Sequence, residues 1–297
     1  MNNSSYHKSV LVKEVIEYLN PQPNKLYIDA TFGGGGHTQA ILDAEPNCTV
    51  LAIDWDQNAI DKNAEPLQEK YGDRLKIAWG NFALLHRILK KEKIKKIDGL
   101  LADFGTSQFQ IHNKEGFSFN TDSPLDMRMS TSHYRHTAAD VVNNFSEKQL
   151  ASIFFEYGEE AKSRKIARAI CEDRKNKLFK TTRQLAELIE NITPYTKQRR
   201  RIHPATKVFQ ALRIYVNKEL ENIETLLKNV IPFLNEDGKI LCISFHSLED
   251  RIVKIFFREN TDKLKILTKK PIIPSEEEIT TNPSARSSKL RVAKKIN

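Results

Sequence analysis

Short apolar runs that end in an acid recur along the first hundred residues. Leu26-Tyr27-Ile28-Asp29 predicts a strand that runs into Gly33-Gly34-Gly35-Gly36, with a helix from about Thr38. Thr49-Val50-Leu51-Ala52-Ile53-Asp54 predicts a second strand, Leu75–Trp79 a third and Ile97–Asp103 a fourth. Runs of this length, rich in Val, Ile and Leu and separated by helical periodicity, indicate a parallel sheet with helices on both faces. The pattern then changes. From about 135 to 200 the periodicity is helical and no strand stands out. Ser146-Glu147-Lys148-Gln149 and Thr181-Thr182-Arg183-Gln184 each have the form of a capping box, a helix start in which two side chains satisfy two free N–H groups. Strand character returns at Lys239–Phe245, just after Asp237-Gly238. The chain therefore reads as one α/β domain, 1–134 and 208–297, interrupted by a helical insertion at 135–207.

Charge adds a functional hint. The chain carries 47 Lys+Arg against 38 Asp+Glu, a net charge of +9. Between Ala161 and Arg213 there are 15 Lys+Arg and 4 Asp+Glu, so the basic character belongs to the helical middle and its exit. A polyanionic partner fits, although solvated helix faces also carry such runs. Arg199-Arg200-Arg201 is the densest point and is expected to contact phosphates. The three cysteines are far apart and lack paired spacing, which disfavours a disulfide framework or a zinc site. His133 and His136 have no companion ligands, so no catalytic metal is expected. No apolar run approaches the ~18 residues of a membrane span, and Met1–Ser9 is polar. A cytoplasmic protein is expected.

The strand ends carry the chemistry. Glycine lacks a Cβ, so a glycine-rich turn lets backbone approach a ligand, and the helix that follows presents unpaired N–H groups. Asp54 ends the second strand 21 residues after Gly33, where an acid can accept hydrogen bonds from ribose hydroxyls. The loop lacks the Lys-Ser/Thr ending of a phosphate-binding P-loop. These features fit a ribose-bearing cofactor and do not separate NAD from S-adenosylmethionine. Phe82 follows the third strand and is either core or a partner for adenine. Asp103 ends the fourth. Ligands of open α/β sheets lie outside the carboxyl ends of the strands, so Asp29, Asp54 and Asp103 should converge on one crevice. An acidic crevice in a basic protein suits a cationic sulfonium better than a pyrophosphate.

Several longer segments carry a family resemblance. They are Tyr27–His37, Gly116-Phe117-Ser118-Phe119, Pro124–Met129, Tyr157-Gly158-Glu159-Glu160, His203-Pro204-Ala205-Thr206, Phe209–Ile214 and Ser244–Arg251. In this order and along nearly the whole chain they resemble the bacterial 16S ribosomal-RNA cytosine-N4 methyltransferases. The resemblance implies a Rossmann-like, S-adenosylmethionine-dependent methyltransferase sheet with an inserted helical domain for substrate recognition. It implies cofactor contacts at Gly35, Gly36, His37, Asp54, Phe82, Asp103 and Gln110. It also implies, as substrate, a decoding-region cytidine of 16S rRNA in the small ribosomal subunit. The chain departs from the family pattern at Ser107-Gln108-Phe109-Gln110, at Glu115 and at Ser284.

Asp103 is placed to accept a hydrogen bond from the target amino group, to orient the cofactor, or both. The aromatic partner of the target base is open among Phe117, Phe119 and Phe245. His246 is a candidate for the substrate pocket. Ser244, His246 and Asp250 do not read as a hydrolase triad, because they crowd one strand-to-helix turn without a Gly-x-Ser-x-Gly elbow. Two rival readings are an NAD-dependent oxidoreductase and a catalytically silent RNA-binding assembly factor.

The arginine run generates a direct test. Each phosphate contact releases counterions, so losing one should flatten the log–log salt dependence of binding by roughly 0.7–0.9. Changing Arg199, Arg200 and Arg201 together to alanine should weaken binding to small subunits and flatten that slope. A folded triple variant with the wild-type slope would remove these side chains from the RNA contact.

Overall fold

The computed structural model describes residues 9–105, 115–131, 134–193 and 203–296. The chain divides into two compact units, one formed by Met1–Gln108 with Leu220–Asn297 and the other by Phe109–Glu219.

The first unit is a seven-stranded sheet in the order β3-β2-β1-β4-β5-β7-β6. Its strands are β1 (Leu26–Asp29), β2 (Thr49–Asp54), β3 (Leu75–Trp79), β4 (Ile97–Asp103), β5 (Leu234–Ser244), β6 (Leu264–Ile266) and β7 (Lys289–Lys295). The first five are parallel, and β7 lies antiparallel between β5 and β6. Order 3-2-1-4-5 is the Rossmann-like arrangement, with the direction of winding reversing between β1 and β4. Alternation along the strands sorts their side chains onto two faces. Ile28, Leu51, Ile53, Leu100 and Ile240 pack with α4 (Leu85–Lys91), α10 (Glu219–Val230) and α11 (Ser247–Glu259). Tyr27, Val50, Ala52, Leu101 and Leu241 pack with α1 (Val12–Leu19), α2 (Gly36–Ala44) and α3 (Gln57–Tyr71). The strand predicted at Lys239–Phe245 extends back to Leu234, through Asp237 at φ +62° and a register irregularity opposite Ile97–Gly99. A short helix, α12 (Glu276–Thr281), precedes β7.

The second unit contains α5 (Ala138–Asn144), α6 (Glu147–Glu156), α7 (Ser163–Asp173), α8 (Thr182–Ile192) and α9 (Thr206–Asn217). Both capping boxes form as read from the sequence. Ser146 caps α6 with Gln149, and Thr181 caps α8 with Gln184. The unit starts at Phe109, well before the expected 135, and ends at Glu219, past the expected 207. The reason is tertiary. Leu125 and Met127 are buried in the same cluster as α5–α9. Buried Asn217 accepts from the Met129 N–H at 2.7 Å and donates to the Met127 carbonyl at 2.7 Å, so it splices an irregular segment onto α9. Pairing of this kind offsets a penalty of about 1–3 kcal/mol for each buried backbone group left alone. No periodicity in 115–131 announces this attachment. Among the described residues no helix is long and apolar enough to cross a membrane.

Candidate active site

The site is assembled at the carboxyl ends of β1, β2 and β4. After β1 the chain turns through Gly33 at φ +49° and Gly35 at φ +75°, and Gly35 N–H donates to the Phe32 carbonyl at 2.7 Å. At Gly35 a side chain is excluded twice, by its φ and by Leu67 and Phe32, which a Cβ would strike at 2.3 and 3.0 Å. At Gly33 a Cβ would meet, among the described residues, only the Thr31 carbonyl oxygen, at 3.9 Å, so among those residues nothing crowds that face of the loop. Gly36 opens α2, which starts without a side-chain cap.

Three acids fix this turn, each differently. Asp29 is wholly buried and accepts from Thr38 Oγ1 at 2.6 Å and Thr31 N–H at 3.1 Å. It ties β1 to α2 and has no free surface for a ligand, so its part is to position the loop. Thr31 passes the connection on, because its Oγ1 accepts from the Asp103 N–H at 2.8 Å. Asp54 accepts from Gly33 N–H at 2.7 Å and Asp56 N–H at 2.8 Å. A carboxylate has about four acceptor positions, and among the described residues these two backbone donors take two of them. Asn63 holds the other side of the loop by donating to the Gly33 carbonyl at 3.0 Å. Burial pushes the Asp54 carboxyl up to about 6, and the two N–H donors offset only part of that rise. Burial also raises Asp29, with Asp103 pushing in the same direction and His37 opposing it.

Asp103 closes β4 with its side chain 10% exposed, and His37 Nε2 lies 3.5 Å from its Oδ2. His37 is buried on the first turn of α2, and among the described residues neither ring nitrogen makes a hydrogen bond. A buried imidazole without partners costs stability unless a ligand or water engages it. Phe82 sits beside Trp55 and Phe104, at centroid distances of 6.0 and 5.9 Å, and packs against the sheet core. Trp55, directly after Asp54, is an apolar wall that sequence reasoning passed over. Its position after the strand-end acid was the available signal. Asp56 was passed over too. It caps α3 by accepting from Asn58 N–H at 3.2 Å.

The turn after β5 is organised by Glu249. This buried carboxylate accepts from Phe245 N–H at 2.7 Å, and His246 Nε2 lies 3.1 Å from it. His246, with Glu249 three residues later, stands at the N-cap of α11, which opens at Ser247. Asp250 is engaged by Arg291 through two hydrogen bonds of 2.6 and 3.0 Å, so no Ser244–His246–Asp250 relay exists. The Ser244 hydroxyl is buried without a hydrogen-bond partner among the described residues. Phe245 covers Gly105, where a Cβ would strike its ring at 2.3 Å. In the helical unit, Phe119 stacks on His203 at 4.2 Å, meets Phe209 edge-on and packs, partly buried, against the unit's core. Gln110, Arg199, Arg200 and Arg201, together with His133, lie outside the described residues.

The chain matches the model of the MraW methylase family over residues 4–296. It belongs to that family. A protein of Hydrogenobaculum sp. (strain Y04AAS1), named Ribosomal RNA small subunit methyltransferase H, is 48% identical over 289 residues, covering 97% of this chain and 95% of that one. A protein of the same name from Trichodesmium erythraeum (strain IMS101) is 47% identical over 292 residues, covering 98% and 99%. Another, from Kosmotoga olearia, is 46% identical over 298 residues, covering 98% and 97%. The family match takes in the sheet and the helical unit alike.

Asp54 gives this site a pH signature. A carboxyl whose folded pKa stands above its ordinary 3.8 binds its proton more tightly in the folded chain than in the unfolded one. Its contribution to stability is therefore fullest below about pH 4 and is lost as pH rises through about 6. Over that window the ligand-free wild type should lose roughly 2–3 kcal/mol relative to Asp54→Asn, at about 1.4 kcal/mol per pKa unit. Urea unfolding of both proteins across the range measures this. A difference independent of pH would contradict the raised pKa.

Proposed function

We propose that the chain transfers a methyl group from S-adenosyl-L-methionine to N4 of a decoding-region (P-site) cytidine of 16S rRNA, acting in the cytoplasm on the small ribosomal subunit. The observation that carries this reading is the carboxylate of Asp103 at the end of β4, paired with buried His37 beside a glycine turn held by Asp54. Membership of a methylase family and the shared name of the close relatives support the methyl transfer and the ribosomal RNA substrate.

The residues fit the cofactor. The open face of Gly33 admits backbone contact, Asp54 keeps lone pairs for ribose hydroxyls, and Trp55 and Phe82 offer apolar surface near the same strand ends. Gly35 and Gly36 shape the turn, and Gln110 is assigned to the same set by family resemblance. Bound S-adenosylmethionine supplies an electrophilic methyl group on a sulfonium. The chain's part is to make a poor nucleophile effective. The lone pair of the cytosine amino group is delocalised into the ring, and attack places positive charge on nitrogen. Asp103 accepts a hydrogen bond from that amino group and stabilises the developing charge. The amino nitrogen forms the new N–C bond as the methyl–sulfur bond breaks, with a neutral thioether as the leaving group, and gives up a proton to Asp103, whose Oδ2 lies 3.5 Å from His37 Nε2. Holding the two reactants in line removes much of the entropic barrier. The target base must leave its stack to reach a strand-end crevice. His246 is assigned to the substrate side, and Arg199, Arg200 and Arg201 to phosphate contact.

Nucleoside mass spectrometry of 16S rRNA from cells with and without the gene tests the assignment, and N4-methylcytidine should disappear without it. Asp103→Asn keeps the shape and removes the charge, so single-turnover methylation should fall at least tenfold, about 1.4 kcal/mol in barrier. A wild-type rate at saturating cofactor would exclude this role for Asp103.

A further inference from the structure

The helical unit contains a cleft of its own, about 930 Å³ in volume, between α6 and α7. Helix α6 turns Leu150, Ile153 and Phe154 into the unit's core. The next residue, Phe155, faces away from that core and is 63% exposed. One and two turns back along the same face come Ala151, Ser152 and Lys148, all lining the cleft. The small residues leave a low floor, with a bare aromatic ring at one end and an ammonium at the other. Lys162, Arg164 and Lys165 line the cleft from the α7 side. Of the two carboxylates in the lining, Glu147 is engaged by Arg168 at 3.6 Å, so cations predominate over Glu156.

An exposed ring above a small-residue floor, fringed by cations, matches the chemistry of an unpaired nucleotide. Its base stacks on the aromatic and its phosphates meet Lys and Arg. We propose that this cleft docks an unpaired nucleotide of the ribosomal RNA other than the methylated cytidine, with the base stacked on Phe155 and the flanking phosphates held by Lys162, Arg164 and Lys165. The proposal rests on the RNA-methyltransferase reading. Charge favours RNA over a protein partner, because the cleft lies at the start of the segment Ala161–Arg213, with its 15 Lys+Arg against 4 Asp+Glu. Stacking tolerates any base, so the cleft contributes affinity and placement while sequence choice stays with the catalytic crevice.

The test uses the full chain, a single-stranded RNA oligonucleotide of about ten nucleotides, and isolated small subunits. Phe155→Ala should weaken oligonucleotide binding roughly five- to hundredfold, and Phe155→Trp should restore it, since tryptophan also stacks. Joint replacement of Lys162, Arg164 and Lys165 by alanine should flatten the salt slope by about 2, at roughly 0.7 per contact on a single strand. Circular dichroism and the thermal unfolding of each variant report whether its helical unit is folded, which cofactor affinity in the sheet unit does not. Should Phe155→Ala not fold, the exposed cation triple decides alone. Wild-type oligonucleotide affinity in folded Phe155→Ala, or an unchanged slope in the folded triple, overturns the cleft assignment. So does binding of a ribosomal protein, and not RNA, that depends on Phe155. If the wild type methylates small subunits while the variants bind normally, only the cleft proposal fails. If the wild type methylates no ribosomal RNA, the proposed function itself fails.

Discussion

The Asp54 carboxylate, hydrogen-bonded to the Gly33 and Asp56 N–H groups, is the contact on which the site depends. It joins the end of β2 to the turn after β1 and to the entry of α3. It does so with a charge that burial makes expensive, which is why its pKa stands near 6. Such a group is held in a folded protein by its backbone donors. Asp54 and Asn63 tie the Gly33 backbone from two sides, through its N–H and its carbonyl, and so fix the turn in one place. Behind them, Asp29 and Thr31 carry the same order to β4 and set Asp103 against His37.

Much of this was legible in the sequence, for reasons that particular residues make plain. The four parallel strands announced themselves because each is a short Val/Ile/Leu run, and three of them end in Asp29, Asp54 or Asp103. The capping boxes at Ser146 and Thr181 were legible because they are local, three residues wide and independent of packing. Strand β7 was not. Its charged ends, Lys289, Lys294 and Lys295, mask the buried Leu290, Val292 and Ala293, and its place between β5 and β6 is a matter of pairing across the chain. The early start of the helical unit was hidden for the same reason, since the contacts of Asn217 with Met127 and Met129 span about ninety residues. At the site, the buried role of Asp29 could not be told from a ligand-facing one, because exposure is decided by Thr31 and Thr38 in three dimensions. Phe155 is the opposite case. Beside Phe154 in an amphipathic helix it reads as core, and only the packing of α6 shows which of the two rings is left outside.

The two units divide the chemistry. The sheet unit supplies acids and a glycine turn, a combination suited to a cation and a ribose. The helical unit carries the excess of lysine and arginine, suited to phosphates. Methylation of a nucleic-acid base needs both, because an acidic crevice repels the backbone that brings its substrate, so attraction has to come from another part of the chain.

The central claim is that Asp54 holds the turn and receives the ribose of S-adenosylmethionine. Calorimetric titration of the cofactor into wild type and Asp54→Ala tests it most directly. Losing a charged acceptor should weaken binding by roughly 1.5–3 kcal/mol, about ten- to more than a hundredfold. A folded Asp54→Ala protein that binds S-adenosylmethionine as tightly as wild type would contradict the account.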